Sequence, residues 1–340
     1  GSAENGVDEG KAIEVWNLLD KFANYGFNKS HAAAYAVVSY QTAWLKANHP
    51  VEFMAGVMNC DIHLTDKLAV YFEEVRKGLD LPWVPPCVNR SDATFKVVDG
   101  ALVYALGALK NVGVEAMRLV QEARADKPFA TLFDFARRVD LKRVGKRPLE
   151  MLARAGAFDQ LDPNRRRVFA ALDALSAYSA AIHDQKNSNQ VSLFGEAGDD
   201  LPEPRLMPVD DWLPAERLGE EHKAVGFYLS GHPLDDYAGA LKRKGVVTLD
   251  EVTAKAERAP LVAKLAGVVS GLQVRKSARG NRFAFCQMSD HTGAFEVTLF
   301  SESLEKSQDV LETGAKVIVT VEATMEADQL KLLGRSVAPI

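Results

Sequence analysis

The sequence has little cysteine and lacks the short motifs that mark metal, nucleoside-triphosphate or hydrolase chemistry. Its three cysteines, Cys60, Cys87 and Cys286, are odd in number and far apart. This excludes a disulfide framework and any CxxC site, and it indicates a reducing compartment, the cytoplasm. The patterns GxxxxGK[ST], HExxH and GxSxG are absent, and the seven histidines show no metal-ligand spacing. We therefore expect no metal site and no catalytic nucleophile in this chain.

The sequence also lacks a long apolar run and an excess of charge of one sign. Polar residues interrupt the most apolar stretch, 32–45, so no segment reaches the ~18 to 20 apolar residues that span a bilayer. The 41 basic and 46 acidic residues give a net charge of −5. Any surface that binds nucleic acid must therefore be a local patch. A length of 340 residues predicts about two to three domains.

Hydrophobic spacing predicts helices in the first part of the chain. Residues 8–81 have helical spacing, and helices resume up to about residue 178. Between them, Asp99-Gly100 separates two short apolar runs and predicts a β-hairpin. The polar stretch 183–214, rich in Gly and Pro, predicts a flexible linker, and residues 215–229 predict a further helix. No internal repeat of 20–50 residues is evident.

Strict alternation of apolar and polar residues dominates after residue 260. It predicts five strands, at 261–274, 281–289, 294–300, 315–323 and 329–333, with a helix at 304–311 between the third and the fourth. This order is the one that an OB-fold barrel requires. The predicted fold class is therefore an α+β multidomain protein, helical at first and ending in a five-stranded OB-fold β-barrel.

A run of aromatic and polar residues stands at the start of a predicted helix, Tyr25-Gly26-Phe27-Asn28-Lys29-Ser30-His31-Ala32-Ala33-Ala34-Tyr35. Asn28 or Ser30 can simply cap that helix. Free backbone N–H groups with a cation at a helix start also favour phosphate. The run resembles the fingers region of the C-family replicative polymerases of bacteria, the alpha subunits of DNA polymerase III. The resemblance implies that the nucleotide or template is faced by Tyr25, Asn28, Lys29, Ser30 and His31.

The resemblance continues in order along the whole chain. The stretch 84–91, the turn 231–235 and the terminal barrel recur in this order in the family, although Cys87 stands where members often carry Asp. It implies a chain that is the C-terminal part of such a subunit, with five regions. These are the end of the fingers (1–81), a helix-hairpin-helix and clamp-binding domain (82–182), a linker with a clamp-binding motif (183–214), a helical connector (215–259) and the OB domain (260–340).

The resemblance also implies which chemistry lies elsewhere. In the family the catalytic aspartates lie in a palm that precedes the fingers, and magnesium is bound there. We therefore expect no catalytic residue, metal or cofactor in this chain, which alone should not polymerise DNA. The implied partners are primer–template duplex, single-stranded template and the sliding clamp. A clamp-loader subunit and a proofreading exonuclease subunit are implied partners of other parts of the protein.

Two segments resemble the halves of a helix-hairpin-helix module, in which backbone N–H groups at a tight turn bind a DNA phosphate without reading bases. The first is 106–116, where Asn111 replaces the usual Gly and tolerates a positive φ. The second, 137–147, has six basic residues and one acidic residue, a composition also found on solvated helix faces. The predicted duplex-binding residues are Lys110, Asn111, Gly113, Lys142, Arg143, Lys146 and Arg147.

An apolar pair stands alone in the predicted linker, within Gln190-Val191-Ser192-Leu193-Phe194. It can be an accidental exposed pair. The segment is also similar to the pentapeptide with which these polymerases bind the sliding clamp. In that case Leu193 and Phe194 fill an apolar pocket and the Gln190 amide bonds to its rim, with Ser192 between them.

Basic residues cluster around Gly280 in the predicted barrel, beside two aromatic residues at alternate positions, Phe283 and Phe285. Cations with stackable rings are what single-stranded nucleic acid requires of an OB surface. Alternation alone equally allows both rings to be core residues. The predicted single-strand-binding residues are Arg275, Lys276, Arg279, Arg282 and Phe283.

Two other function classes fit parts of the sequence. A DNA-repair scaffold with hairpin and OB modules explains everything except the Asn28-Lys29-Ser30-His31 run, since such a scaffold has no use for a fingers segment. A purely structural linker protein would bind no DNA at all.

Overall fold

The helical spacing of the first residues is confirmed in the computed structural model, which describes residues 1, 3–23, 29–187, 201–277, 280–327 and 329–340. The first helices are α1 (Glu9–Ala23), α2 (Lys29–Asn48), α3 (Pro50–Cys60) and α4 (Thr65–Glu73). Pro50 occupies the first turn of α3, where its missing N–H costs nothing. A π-helical turn, Glu74–Gly78, follows α4.

Helices α1 and α2 expose their apolar side chains, and none of their described side chains is buried. Trp16 on α1 is 70% exposed and Tyr40 on α2 is 69% exposed. The apolar spacing thus predicts these helices correctly, although no other described element covers their apolar residues.

The Asp99-Gly100 pair forms the predicted hairpin between β2 (Lys96–Val98) and β3 (Ala101–Val103). Both turn residues have positive φ, 51° and 74°, as a type I′ turn requires. A short strand, β1 (Trp83–Val84), pairs with β3 in parallel.

A cluster of short helices follows and shares one hydrophobic core with α3 and α4. They are α5 (Val114–Arg124), α6 (Leu132–Arg138), α7 (Leu141–Val144), α8 (Lys146–Arg154) and α9 (Arg165–Asn187). Thr131 caps α6, since its hydroxyl accepts from the Asp134 N–H at 3.0 Å. Among the largest fully buried side chains of this core are Met117, Phe135 and Leu152.

Helix α9 runs to Asn187 and overlaps the first residues of the predicted linker. Residues 201–213 have no helix or strand, yet they lie against the helical core. Leu201 and Leu206 pack on it, and Glu203 pairs with Arg137 at 2.7 Å. Helix α10 (Pro214–Val225) ends earlier than its apolar pattern predicts, because Gly226 adopts the left-handed conformation with φ 100°.

Buried charges join α9 to α10. The Glu221 carboxylate is 1% exposed and accepts from the backbone N–H groups of Leu229 and Ser230 at 3.0 and 2.8 Å. The Arg165 guanidinium lies 3.4 Å from Glu221 and 2.8 Å from Asp159. Each buried charge thus has a partner, which removes much of the cost of its desolvation.

The connector consists of α11 (Ala238–Arg243), β4 (Val246–Val247) and α12 (Leu249–Ala256), and the turn before it contacts the barrel. The His232 ring lies 3.1 Å from the Ser289 hydroxyl through Nε2, and its Nδ1 accepts from the Leu234 N–H at 3.2 Å. Burial lowers the pKa of His232 to about 4. The ring is therefore neutral at neutral pH, as the Nδ1 acceptor requires.

The alternating segment forms a closed five-stranded barrel, which confirms the predicted OB topology. Its strands are β5 (Leu261–Lys276), β6 (Arg282–Ser289), β7 (Ala294–Phe300), β8 (Lys316–Glu326) and β9 (Gln329–Pro339). They neighbour one another in the order β5-β6-β7-β9-β8, and β8 returns to pair with β5. Helix α13 (Ser301–Ser307) lies between the third and fourth strands, as predicted. Alternate residues such as Cys286, Val297 and Val319 fill the interior.

Candidate nucleic-acid interface

The described part of the fingers-like run, from Lys29 to Tyr35, lies at the start of α2. Lys29, Ser30 and His31 occupy its first turn and are exposed, and the His31 ring contacts the Tyr35 ring at 4.5 Å between centroids. Tyr25 and Asn28 lie outside the described residues, so their predicted roles stay predictions. No described helix is long and apolar enough to cross a membrane.

The two hairpins are copies of one motif. Leu109-Lys110-Asn111-Val112-Gly113 precedes α5, and Leu141-Lys142-Arg143-Val144-Gly145 precedes α8, 32 residues later. The two pentapeptides share Leu, Lys, Val and Gly, which is too short a match to be an evident repeat in the sequence. The buried positions match too: Leu109 with Leu141, Val112 with Val144, Met117 with Leu149 and Val120 with Leu152.

The glycine before each helix has the same backbone conformation. Gly113 has φ 78° and ψ 141°, and Gly145 has φ 91° and ψ 152°. A side chain there is strained, so glycine suits both positions. Asn111 has φ 59°, which confirms that it takes the left-handed conformation expected where the usual motif has glycine. In both hairpins a glycine of positive φ therefore leads into a helix N-terminus, whereas the residue two positions earlier is left-handed only in the first.

The end of α10 covers the first hairpin. The Lys110 N–H donates to the Ala224 carbonyl at 2.8 Å, and a Cβ added at Gly226 would lie 2.5 Å from Lys110 Cε. Burial, together with the Lys110 charge, lowers the pKa of His222. An acidic residue, Glu115, lies in the first turn of α5. The loop of the first hairpin is thus tied to α10 at Lys110, whereas Asn111 and Gly113 are exposed.

The second hairpin faces solvent. Lys142, Arg143, Lys146 and Arg147 are all exposed, and the first turn of α8 contains no acidic residue. Lys146 pairs with Asp173 at 2.7 Å, and Arg147 lies 3.9 Å from Glu150. Such exposed pairs contribute little and exchange readily for another anion. This hairpin therefore combines free cations with the positive end of a helix.

The barrel presents a second basic surface with aromatic rings. Phe283 and Phe285 point away from the core side chains Ala284 and Cys286 and are half-buried. Their centroids are 5.4 Å apart, and the Arg275 guanidinium lies 5.4 Å above the Phe285 ring. The alternative that both rings fill the core is therefore wrong.

A third ring, which sequence reasoning missed, extends this surface. Phe300 pairs with Phe283 across β6 and β7, with centroids 6.5 Å apart. We call Arg275, Phe283, Phe285 and Phe300 the aromatic strip. Lys276 and Arg282 are exposed at the adjoining strand ends, opposite one another in register. Arg279 lies outside the described residues. The register between β6 and β7 places Phe300 beside the other two rings. Spacing along the sequence therefore did not indicate that Phe300 belongs to this surface.

The clamp-binding motif, Gln190, Ser192, Leu193 and Phe194, lies outside the described residues. The last described residue before it belongs to α9, and the first after it, Leu201, packs on the helical core.

Among the described residues no three His, Cys, Asp or Glu side chains lie close enough together to hold a metal ion.

Comparison with known proteins matches both modules. Residues 80–168 match the family described as a helix-hairpin-helix motif, and residues 263–339 match the family described as an OB-fold nucleic acid binding domain. Both domain types are the predicted ones.

Several relatives match along the whole chain, and all those compared here are DNA polymerase III alpha subunits. The subunit of Caulobacter vibrioides is 45% identical over 342 residues, which cover 100% of this chain and 30% of the relative. The subunit of Pseudomonas aeruginosa is 38% identical, and the match covers 96% of this chain and 29% of the relative. The subunit of Thermus aquaticus is 38% identical, and the match covers 99% of this chain and 27% of the relative.

The chain spans about three tenths of the length of these curated relatives. Its similarity extends through the exposed helices, both hairpins and the barrel. The resemblance seen in the sequence is thereby confirmed: this chain is related over its full length to one part of the DNA polymerase III alpha subunits.

Proposed function

We propose that this chain holds primer–template DNA for a replicative DNA polymerase, with duplex on the second hairpin and single-stranded template on the aromatic strip. One observation carries the proposal. A solvent-facing basic hairpin and an outward aromatic–arginine surface occur in one chain that is related to DNA polymerase III alpha subunits.

The second hairpin supplies what a phosphate backbone needs. Backbone N–H groups at the start of α8 and the side chains of Lys142, Arg143 and Arg147 together form an anion-binding surface without base specificity. Contacts of this kind track any duplex sequence, which suits a polymerase. Because the cations of the second hairpin are exposed and the Lys110 N–H of the first is bonded to α10, we assign the duplex contact to the second.

The aromatic strip supplies what single-stranded DNA needs. Aromatic rings can stack on any base, so their binding does not depend on the DNA sequence. Arg275 adds a cation that can contact the DNA backbone or stack on a base. Lys276 and Arg282 extend the positive charge at the strand ends.

The remaining roles follow from the family. In the intact protein Lys29, Ser30 and His31 approach the nucleotide or template, and residues 190–194 bind the sliding clamp. The intact protein adds deoxynucleotides to a primer with magnesium held in its palm, whereas this chain alone incorporates none. A repair scaffold is the weaker candidate, because the similarity extends through the fingers-like helix.

The proposal is tested with three labelled ligands of equal nucleotide content: a duplex, a single strand and a primer–template junction. We expect the junction to bind at least about tenfold more tightly than either other ligand, because occupation of one module raises the effective concentration at the other. Fluorescence anisotropy measures the three affinities.

Variants separate the modules. Arg275→Ala with Phe283→Ala should weaken single-strand and junction binding but not duplex binding. Val262→Ala, at an exposed site elsewhere on β5, serves as the control. Equal affinity for all three ligands would contradict a junction-binding function, and no binding to any of them would favour a structural protein.

Clamp binding gives a separate prediction. A labelled peptide spanning residues 187–196 should bind purified sliding clamp, and replacing Leu193 and Phe194 by Ala should abolish binding, since each apolar side chain contributes roughly 1.5 to 3 kcal/mol when buried. Gln190→Ala should weaken it less, by about 0.5 to 1.5 kcal/mol for a lost neutral hydrogen bond. In the whole chain the double Ala variant should leave the melting temperature almost unchanged. A drop of several degrees would instead show that both side chains support the fold.

A further inference from the structure

We infer that a groove beside the aromatic strip binds one additional nucleotide of single-stranded DNA, with its base on Phe300 and its phosphate between Lys306 and Arg335. The inference rests on the proposed function of the aromatic strip and extends it around the edge of the barrel. We call this feature the α13 groove, and it is lined by Phe300, Glu302, Ser303, Lys306, Leu333, Gly334 and Arg335.

The volume of the α13 groove suits one nucleotide. Its volume is about 280 Å³, just below the roughly 300 to 1,000 Å³ of pockets that hold drug-sized ligands. Its lining combines an aromatic ring, two cations, the Glu302 carboxylate, and hydroxyl and backbone groups. A nucleotide has the matching parts: a flat base for the ring and an anionic phosphate for the cations.

Phe300 links the groove to the aromatic strip. Its side chain is 55% exposed at the end of β7, and it neighbours Phe283 on one side and the groove on the other. A DNA single strand whose bases stack on Phe285 and Phe283 therefore reaches Phe300 next. The three rings lie in a row that continues toward α13.

The two cations of the groove are available for exchange. Lys306 pairs with Glu302 at 2.7 Å, but both side chains are more than 70% exposed. Arg335 pairs with Glu322, and both of these side chains are also exposed. Such solvent-exposed pairs contribute little, whereas the planar guanidinium of Arg335 suits a phosphate.

The walls of the groove are held in place by packing. A Cβ added at Gly334 would lie 2.4 Å from the buried Leu299 Cδ2, so glycine lets β9 lie directly beside β7 at the groove. The Ser303 hydroxyl donates to the Arg335 carbonyl at 3.2 Å. Helix α13 is thereby tied to β9, and the groove exists before any ligand binds.

The test compares oligo-dT of increasing length on the whole chain and on the variant Lys306→Ala with Arg335→Ala, by fluorescence anisotropy. We expect equal affinities for the shortest oligonucleotides, which fill only the aromatic strip. For longer ones the variant should lose about tenfold in affinity. Its log–log salt slope should fall by roughly 0.7, the contribution of one lost phosphate contact on a single strand.

The matched control is Lys264→Ala with Lys331→Ala, which removes the same charge from exposed sites of the same barrel outside the groove. This control variant should bind oligo-dT of every length with the same affinity as the unmodified chain. If the groove variant also binds all lengths normally, the groove proposal is wrong while the aromatic strip stands. If the unmodified chain binds no oligo-dT of any length, both the strip proposal and the groove proposal fall.

Discussion

Reversing the charge of Lys142, Arg143 and Arg147 to Glu should weaken duplex binding by on the order of a hundredfold or more and flatten its salt dependence. Each phosphate contact of a duplex contributes about 0.9 to the log–log salt slope, so the loss of three contacts should lower the slope by roughly 2.7. The three side chains are exposed on the hairpin that faces solvent, and the fold should tolerate the change. Affinity measured at several salt concentrations gives both quantities.

The control is charge reversal at Lys242, Arg243 and Lys244, three exposed residues at the end of α11. It changes the net charge by the same amount, so it accounts for general repulsion between protein and DNA. Only the hairpin variant should lose the steep salt slope. If both variants behave alike, the basic residues of the hairpin form only a solvated helix face.

Replacing Glu221 by Ala should lower the free energy of unfolding by about 3 to 5 kcal/mol, the cost of breaking a buried ion pair. The change removes the acceptor of two backbone N–H groups and one of the two carboxylates near Arg165. Chemical denaturation of the whole chain measures the effect.

Two further variants identify the cause of the lost stability. Glu221→Gln keeps an oxygen for the Leu229 and Ser230 N–H groups but removes the charge, so it should cost less than Ala. Glu302→Ala removes one partner of an exposed pair and should change stability by no more than about 0.5 kcal/mol. A Glu221→Ala variant as stable as Glu302→Ala would show that the buried network does not hold α9 to α10.

The barrel was predictable because its strands alternate, and alternation is a local property of the chain. The predicted strands all occur, and those at 315–323 and 329–333 extend further in the structure. Alternation does not say which of its two faces is inside. Phe283 and Phe285 were therefore ambiguous until the neighbouring Ala284 and Cys286 were seen in the core.

The non-local features were not predictable. The two hairpins have similar local sequences, so sequence reasoning gave Lys110 and Lys142 the same role. The contact that distinguishes them joins Lys110 to Ala224, far apart in the chain. Residues 201–213 have the composition of a linker, but partners such as Arg137 hold them against the helical core.

The hairpin pair has a consequence for how substitutions are tolerated. The first hairpin is tied to α10 at Lys110, whereas the basic side chains of the second are exposed. Changes around Lys110 and Gly226 must preserve the packing between these two residues, so the residues there are expected to vary together between species. Under the proposed function Lys142 and Arg143 act through their charge, so Lys and Arg should interchange there. Substitutions at these exposed positions can therefore change the affinity for DNA with little effect on the fold.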